Sequence, residues 1–206
     1  MLNEVLTDDI HNLKPTNYKI PRSRVVKKCV VINFFCWQDT FRYKSSLWTN
    51  EEPFNLRGAE SAFDSEETKS PVFWNAKVTK ICIGIKTNNF VSWLGINHTA
   101  TSLLASFKDG FQSTNLGRAA WFSLVPDPSL QINCNRDGFN NGDPSSSWMA
   151  IRLGILGNQE DDCATPDSFI GLGSTFYQQT SCGNRAAYDA DNGDRNTKSF
   201  GYLLVQ

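Results

Sequence analysis

An α+β domain with an antiparallel sheet, a few short helices and long loops is what this 206-residue chain predicts. Three observations carry that reading. The first is composition: 14 Phe and 6 Trp stand against 2 Met and 2 His, with Gly, Asn, Asp and Ser spread along the whole chain. This mixture suits many short strands joined by turns better than a helical bundle. The second is residues 78–86, where Thr79, Ile81, Ile83 and Ile85 alternate with Val78, Lys80, Cys82, Gly84 and Lys86, the period of an extended strand. The third is residues 148–173. Met149, Ile151, Leu153 and Ile155 alternate, the pattern breaks at Gly157 into Asn158-Gln159-Glu160-Asp161-Asp162, and Cys163 closes the run. After Pro166 a second apolar piece, Phe169, Ile170 and Leu172, lies among glycines.

Taken in order, residues 1–28 form a polar N-terminal segment, expected to be poorly ordered. Residues 1–24 lack the charged-then-apolar pattern of a signal peptide. The apolar run Val30, Val31, Ile32, Phe34, Phe35 is too short to span a membrane and reads as a buried strand over 30–35. Residues 40–43 are expected to be another strand. Residues 45–55 are turn-rich with Trp48 as a core anchor. Residues 58–70 are an acidic loop carrying Glu60, Asp64, Glu66 and Glu67, expected to be solvated. Asn88-Asn89 is a tight turn that makes 78–96 a hairpin. Residues 101–108 suit a short helix capped by Thr101 or Ser102, with Leu103, Leu104 and Phe107 on one face and Gly110 at its end. A second helix fits 116–124, stopped by Pro126. Residues 130–134 are short and extended, 135–147 a long polar loop, and 199–205 a closing strand. No repeat or linker divides the chain, and single β-rich domains often reach about 200–250 residues.

Net charge is −1, and the one basic cluster, Arg22, Arg24, Lys27 and Lys28, is not a stripe, so nucleic acid is not an expected partner. No stretch is long enough for a membrane span. Six cysteines, Cys29, Cys36, Cys82, Cys134, Cys163 and Cys182, contain no C-x-x-C, and two His cannot complete an ordinary Cys/His zinc site. The even, widely spaced set reads as a disulfide framework in an oxidising compartment. The sequon Asn97-His98-Thr99 agrees with that. A secreted chain would then have its true start upstream of this sequence.

Catalytic constellations fail. A serine nucleophile needs His11, in the polar tail, or His98, inside the sequon, and no G-x-S-x-G elbow exists. Gly171-Leu172-Gly173 runs into Ser-Thr-Phe rather than a phosphate-cradling pattern. The chain therefore reads as non-catalytic. Asp189-Ala190-Asp191-Asn192-Gly193-Asp194 resembles an EF-hand start, but its glycine is misplaced and Phe200 stands where the bidentate Glu belongs; a turn is the better reading. The acidic loop after Gly157 is open to two readings, a seat for an oxygen-liking cation or a solvated connection. Tyr188 is likewise either an aromatic face for a sugar ring or a rim tyrosine.

The segments PVFW (71–74), TKICIGIK (79–86), SLQINCNRDGFN (129–140), RLGILGNQEDDCATPDSFIGLG (152–173), SCGN (181–184) and FGYLLVQ (200–206) together resemble fibrinogen-related domains, in particular the intelectin-like branch in extracellular proteins of cnidarians and other marine invertebrates. The resemblance runs from about Trp37 to the end. It implies a fibrinogen-C-terminal-like fold for a single domain, 29–206, lacking part of its usual start. It implies a secreted, disulfide-bonded lectin that binds glycans through calcium. Asn158 and Glu160, with Asp162 and Asp167, would be the metal ligands, and Asn184 and Tyr188 would contact the sugar. It also favours the disulfides Cys163–Cys182 and Cys82–Cys134. Weak single sites of this kind are commonly strengthened by homo-oligomers. The alternative is a structural module of extracellular or skeletal matrix without a saccharide pocket.

Overall fold

The computed structural model describes residues 30–35, 39–59, 66–143, 145, 149–175 and 181–206. The 1–28 segment with its basic cluster and His11, the cysteines Cys29 and Cys36, and Glu60, Asp64 and Trp148 lie outside the described residues.

Among the described residues the strands form two antiparallel sheets. The first has the order β1-β10-β2-β3, from β1 (Val30–Phe35), β2 (Val78–Thr87), β3 (Phe90–Ala100) and β10 (Phe200–Val205). The second has the order β4-β5-β6-β7-β8-β9, from β4 (Gln112–Ser113), β5 (Asn133–Asn141), β6 (Ile151–Asn158), β7 (Ser168–Ser174), β8 (Cys182–Ala186) and β9 (Arg195–Lys198). Short helices α1 (Val72–Asn75), α2 (Leu103–Lys108) and α3 (Arg118–Phe122) lie between strands, α2 on the crossing from the first sheet to the second. The β-rich, antiparallel class with short helices is as expected. Among the described residues no helix is long and apolar enough to cross a membrane.

One core is shared by both sheets: Ile81, Ile83, Ile85, Leu203 and Val205 from the first and Phe139, Leu153, Ile155, Ile170 and Leu172 from the second, with Trp48, Phe73, Phe107 and Trp121 from the connections. A smaller cluster of Met149, Ile151, Leu156 and Phe169 packs against Cys134. The β2–β3 hairpin turns at Asn88-Asn89, where Asn88 takes φ 56, a conformation asparagine tolerates. Ser102 caps α2 by accepting a hydrogen bond from the Ala105 amide at 3.1 Å. The second helix is shorter than expected, because Gly117 at φ 75 leads directly into α3.

Three expectations are corrected. Residues 40–43 are not a strand: Asp39–Phe41 is a 3-10 turn, and the indole of Trp48 donates to the Phe41 and Arg42 carbonyls at 3.2 and 3.0 Å, which curls the backbone around it. Much of 135–147 is not loop, since β5 runs through to Asn141. Its polar side chains find partners inside. Asp137 accepts from Thr114, Trp121 and the Leu116 and Gly117 amides, while Asn140 donates to the Asp109 carbonyl at 2.6 Å.

The disulfide pairing is the third. Cys134 bonds to Cys163, with Cα atoms 5.2 Å apart, so neither Cys82–Cys134 nor Cys163–Cys182 forms. The cause is strand pairing. β5 lies against β6 with Asn133 opposite Asn158, which sets Cys134 beside the loop leaving β6. Cys82 is in the other sheet, between Leu204 and Gly95, as a free thiol. Burial pushes its pKa up, with Lys80 opposing. Cys182, on β8, is disulfide-bonded as well.

Candidate functional site

The β6–β7 connection is built by its own polar residues. Asn158, fully buried at the end of β6, donates to the Asp162 carbonyl at 2.8 Å and to Thr165 Oγ1 at 3.1 Å. Its Oδ1 accepts from the Gln159 amide at 2.9 Å. Asp162 accepts from the Ala164 amide at 2.8 Å and the Thr165 hydroxyl at 3.1 Å. Both residues therefore shape the loop, a use of short polar side chains that competes with ligation. The Cys134–Cys163 bond and Asn133, donating to the Gln159 carbonyl at 2.6 Å, hold the loop against β5.

Convergence occurs one step away, at Gln131. This residue is fully buried just before β5. Its amide donates to the Tyr188 carbonyl at 2.8 Å and to Gln159 Oε1, and it lies near enough to act on the Asp167 carboxyl. Both hydrogens of this NH2 group are thus used, while Gln131 Oε1 is itself buried without a partner. A buried, idle oxygen calls for an explanation, and a hard cation is one group that satisfies such an oxygen. Glu160, exposed on the loop, is close enough to act on Asp167. Burial pushes the Asp167 carboxyl up, the Gln131 bond opposes that, and the Glu160 charge adds to the rise. Of the expected ligands, Glu160 and Asp167 are near enough for one charge to act on the other, whereas Asn158 and Asp162 are occupied by the loop. Among the described residues no group of three or more His, Cys, Asp or Glu is gathered for a metal. The oxygen set here is two carboxylates plus the neutral Gln131, Gln159 and Tyr188 oxygens.

Tyr188 is 68 % exposed and Ile132, next to Gln131, is 59 % exposed. Together they give this edge an apolar face. Tyr188 and Asp189 take φ 53 and 59, an uncommon region for a bulky side chain that persists only where surroundings enforce it. The enforcing contacts are visible. Arg118 donates to the Leu130 and Gln131 carbonyls at 2.8 Å each, to Asn135 at 2.7 Å and to Asp191 at 2.6 Å. Burial works against ionisation of Asp191, but the Arg118 and Leu130 N–H bonds outweigh it and its pKa is lowered. The 189–194 run is accordingly a turn clamped to the chain before β5. Asn184 does not reach this edge: fully buried on β8, it accepts from the Ser129 amide at 2.9 Å and donates to the Ser129 and Phe169 carbonyls at 2.7 and 3.0 Å. It is a strut, with its hydrogen-bonding capacity used internally.

Sequence reasoning missed Gln131 and Ile132, and gave Gln159 no role of its own within the polar run after Gly157. A neutral amide in an apolar run carries no local signal of ligation. Only Ile132 left a trace, as an apolar residue flanked by polar ones. No family model, curated protein or solved structure matches this chain.

Proposed function

We propose that this chain is a secreted, non-catalytic recognition domain of the fibrinogen-related, intelectin-like kind, binding saccharides with the help of calcium. The site is the edge formed by Gln131, Gln159, Glu160, Asp167 and the Tyr188 carbonyl. The observation that carries the reading is the buried, unpartnered Gln131 oxygen, on the side chain whose nitrogen holds Gln159 and the Tyr188 carbonyl, beside the exposed Tyr188 and Ile132. Bound calcium would supply open coordination positions for vicinal hydroxyls. The protein's own residues orient the sugar: Tyr188 and Ile132 offer the face on which the apolar side of a ring lies. The Cys134–Cys163 bond beneath the loop supports an oxidising compartment.

Thermal unfolding with millimolar calcium and then chelator tests this. A native-state ligand at about 100 times its Kd adds about 2.7 kcal/mol, a rise of about 5–10 °C for a chain of this size. The rise should vanish in Asp167→Asn, and glycan-array binding should vanish with it. Calcium binding with no glycan retained would favour the matrix-module reading, and no calcium shift at all would overturn the site.

A further inference from the structure

We propose that Arg136 and Arg152 form an anion site toward the end of β5 remote from the β6–β7 loop, taking the carboxylate or sulfate group of an acidic ligand. The site is separate from the one above and does not rest on calcium.

Charges withdrawn from water are normally paired. Arg136 on β5 and Arg152 on β6 are both half-buried, and burial lowers the pKa of each guanidinium, with Tyr43 opposing. Among the described residues Arg118 and Asp191 form an ion pair, whereas neither Arg136 nor Arg152 meets a carboxylate.

Neutral groups hold both side chains instead. Arg152 Nε donates to the Tyr43 carbonyl at 2.7 Å, and its Nη1 donates to Asn140 Oδ1 at 2.7 Å and to the Phe107 carbonyl at 3.3 Å. Its guanidinium lies 4.3 Å from the Tyr43 ring centre. Arg136 Nε donates to Asn141 Oδ1 at 2.7 Å, and its guanidinium lies 4.9 Å from the Phe111 ring centre. Each cation is thus fixed along one edge and against one aromatic ring. What is left over, among the described residues, is Nη2 of Arg152 and both Nη atoms of Arg136. These are not among the fully buried atoms that lack a partner, so they lie open to solvent. A guanidinium presenting its two Nη groups matches a pair of oxygens on a carboxylate or sulfate.

The two cations share one neighbourhood. Their anchors, Asn140 and Asn141, are adjacent in the chain, and both charges act on Tyr43. Burial raises the Tyr43 pKa, Arg152 and Arg136 oppose, and Asp143 adds to the rise. The phenol therefore stays neutral at pH 7 and brings no competing charge. Asp143, the carboxylate of this neighbourhood, accepts from the Ser145 amide and hydroxyl at 2.8 and 2.6 Å.

The test is a nuclear magnetic resonance titration of the 15N-labelled full chain, in chelator and at constant ionic strength. Sodium sulfate and glucuronate are added separately, with glucose as the uncharged control. The Nε–H signals of Arg136 and Arg152 should move saturably at millimolar anion, while those of Arg57 and Arg195 and the glucose control stay still. Arg136→Gln should weaken binding about tenfold or more, and so should Arg152→Lys, which keeps the charge but loses the fork. Arg152 also braces two backbone carbonyls, so Arg136→Gln carries the test should Arg152→Lys fail to fold. Tighter sulfate assigns the site to a sulfate ester and tighter glucuronate to a carboxylate, and either supports it. No saturable movement, equal movement at Arg57 and Arg195 as general screening would give, or undiminished binding in Arg136→Gln overturns it. Calcium is absent throughout, so failure here and failure of the lectin reading are distinguishable.

Discussion

Lys69 shows how one side chain ties local chemistry to stability. It is fully buried, donates twice to Asn50 at 2.7 Å, and its ammonium lies 4.9 and 5.3 Å from the Phe73 and Trp74 ring centres. Burial lowers its pKa from 10.5 to about 8, with Glu52 and Glu51 opposing. The native state thus loses this proton near pH 8 and the unfolded chain near 10.5. Between those values the unfolded state holds more protons, so this residue's contribution to stability rises with pH. Below pH 8 it is flat. Denaturant titrations from pH 7 to 10 should show wild type gaining on Lys69→Met across that window. Parallel curves would mean that Lys69 is not desolvated.

At the scale of elements, the second sheet depends on a row of aligned glycines, Gly138, Gly154, Gly171 and Gly183, facing one another across β5, β6, β7 and β8. At Gly171, φ is 150 and an added Cβ would lie 2.3 Å from the Leu153 carbonyl oxygen and 2.6 Å from the Gly154 Cα. Both obstacles are backbone, so side-chain adjustment cannot relieve them. Gly171→Ala should cost about 3 kcal/mol or more, measured by urea unfolding; a loss under about 1 kcal/mol would refute this close approach. The loop above that sheet depends on its disulfide. Cys163→Ser opens a bridge spanning 29 residues and should cost roughly 3–4 kcal/mol through unfolded-state entropy. On the proposed calcium reading, affinity for the ion should fall as well, because Gln159 and Glu160 lose their tether.

For the whole molecule, the two sheets meet over one core, and the site edge is assembled from three separate connections: the chain before β5, the β6–β7 loop and the β8–β9 turn. Arg118, from α3, joins the first to the third. Arg118→Ala should therefore weaken binding at the site more than Asn184→Ala does, although Asn184 is the more deeply buried of the two. The measurement is calcium titration of both folded variants.

The apolar half of this architecture is written locally. β2, β3, β6, β7 and β10 alternate or run apolar, and the Asn88-Asn89 turn and the Ser102 cap are short-range chemistry, so the sequence alone determined an antiparallel, β-rich domain. β5 and β8 are different. Asn133–Asn141 and Cys182–Ala186 are polar or glycine-rich, and they become strands only because neighbours on both sides supply hydrogen bonds that a linear reading cannot see. The same cause underlies the Cys134–Cys163 pairing and the meeting of Gln131 with Gln159 and Tyr188. Strand order and register decided both. Residues 131 and 188 meet through the tertiary fold, since a hydrogen bond between distant amides has no period and no motif.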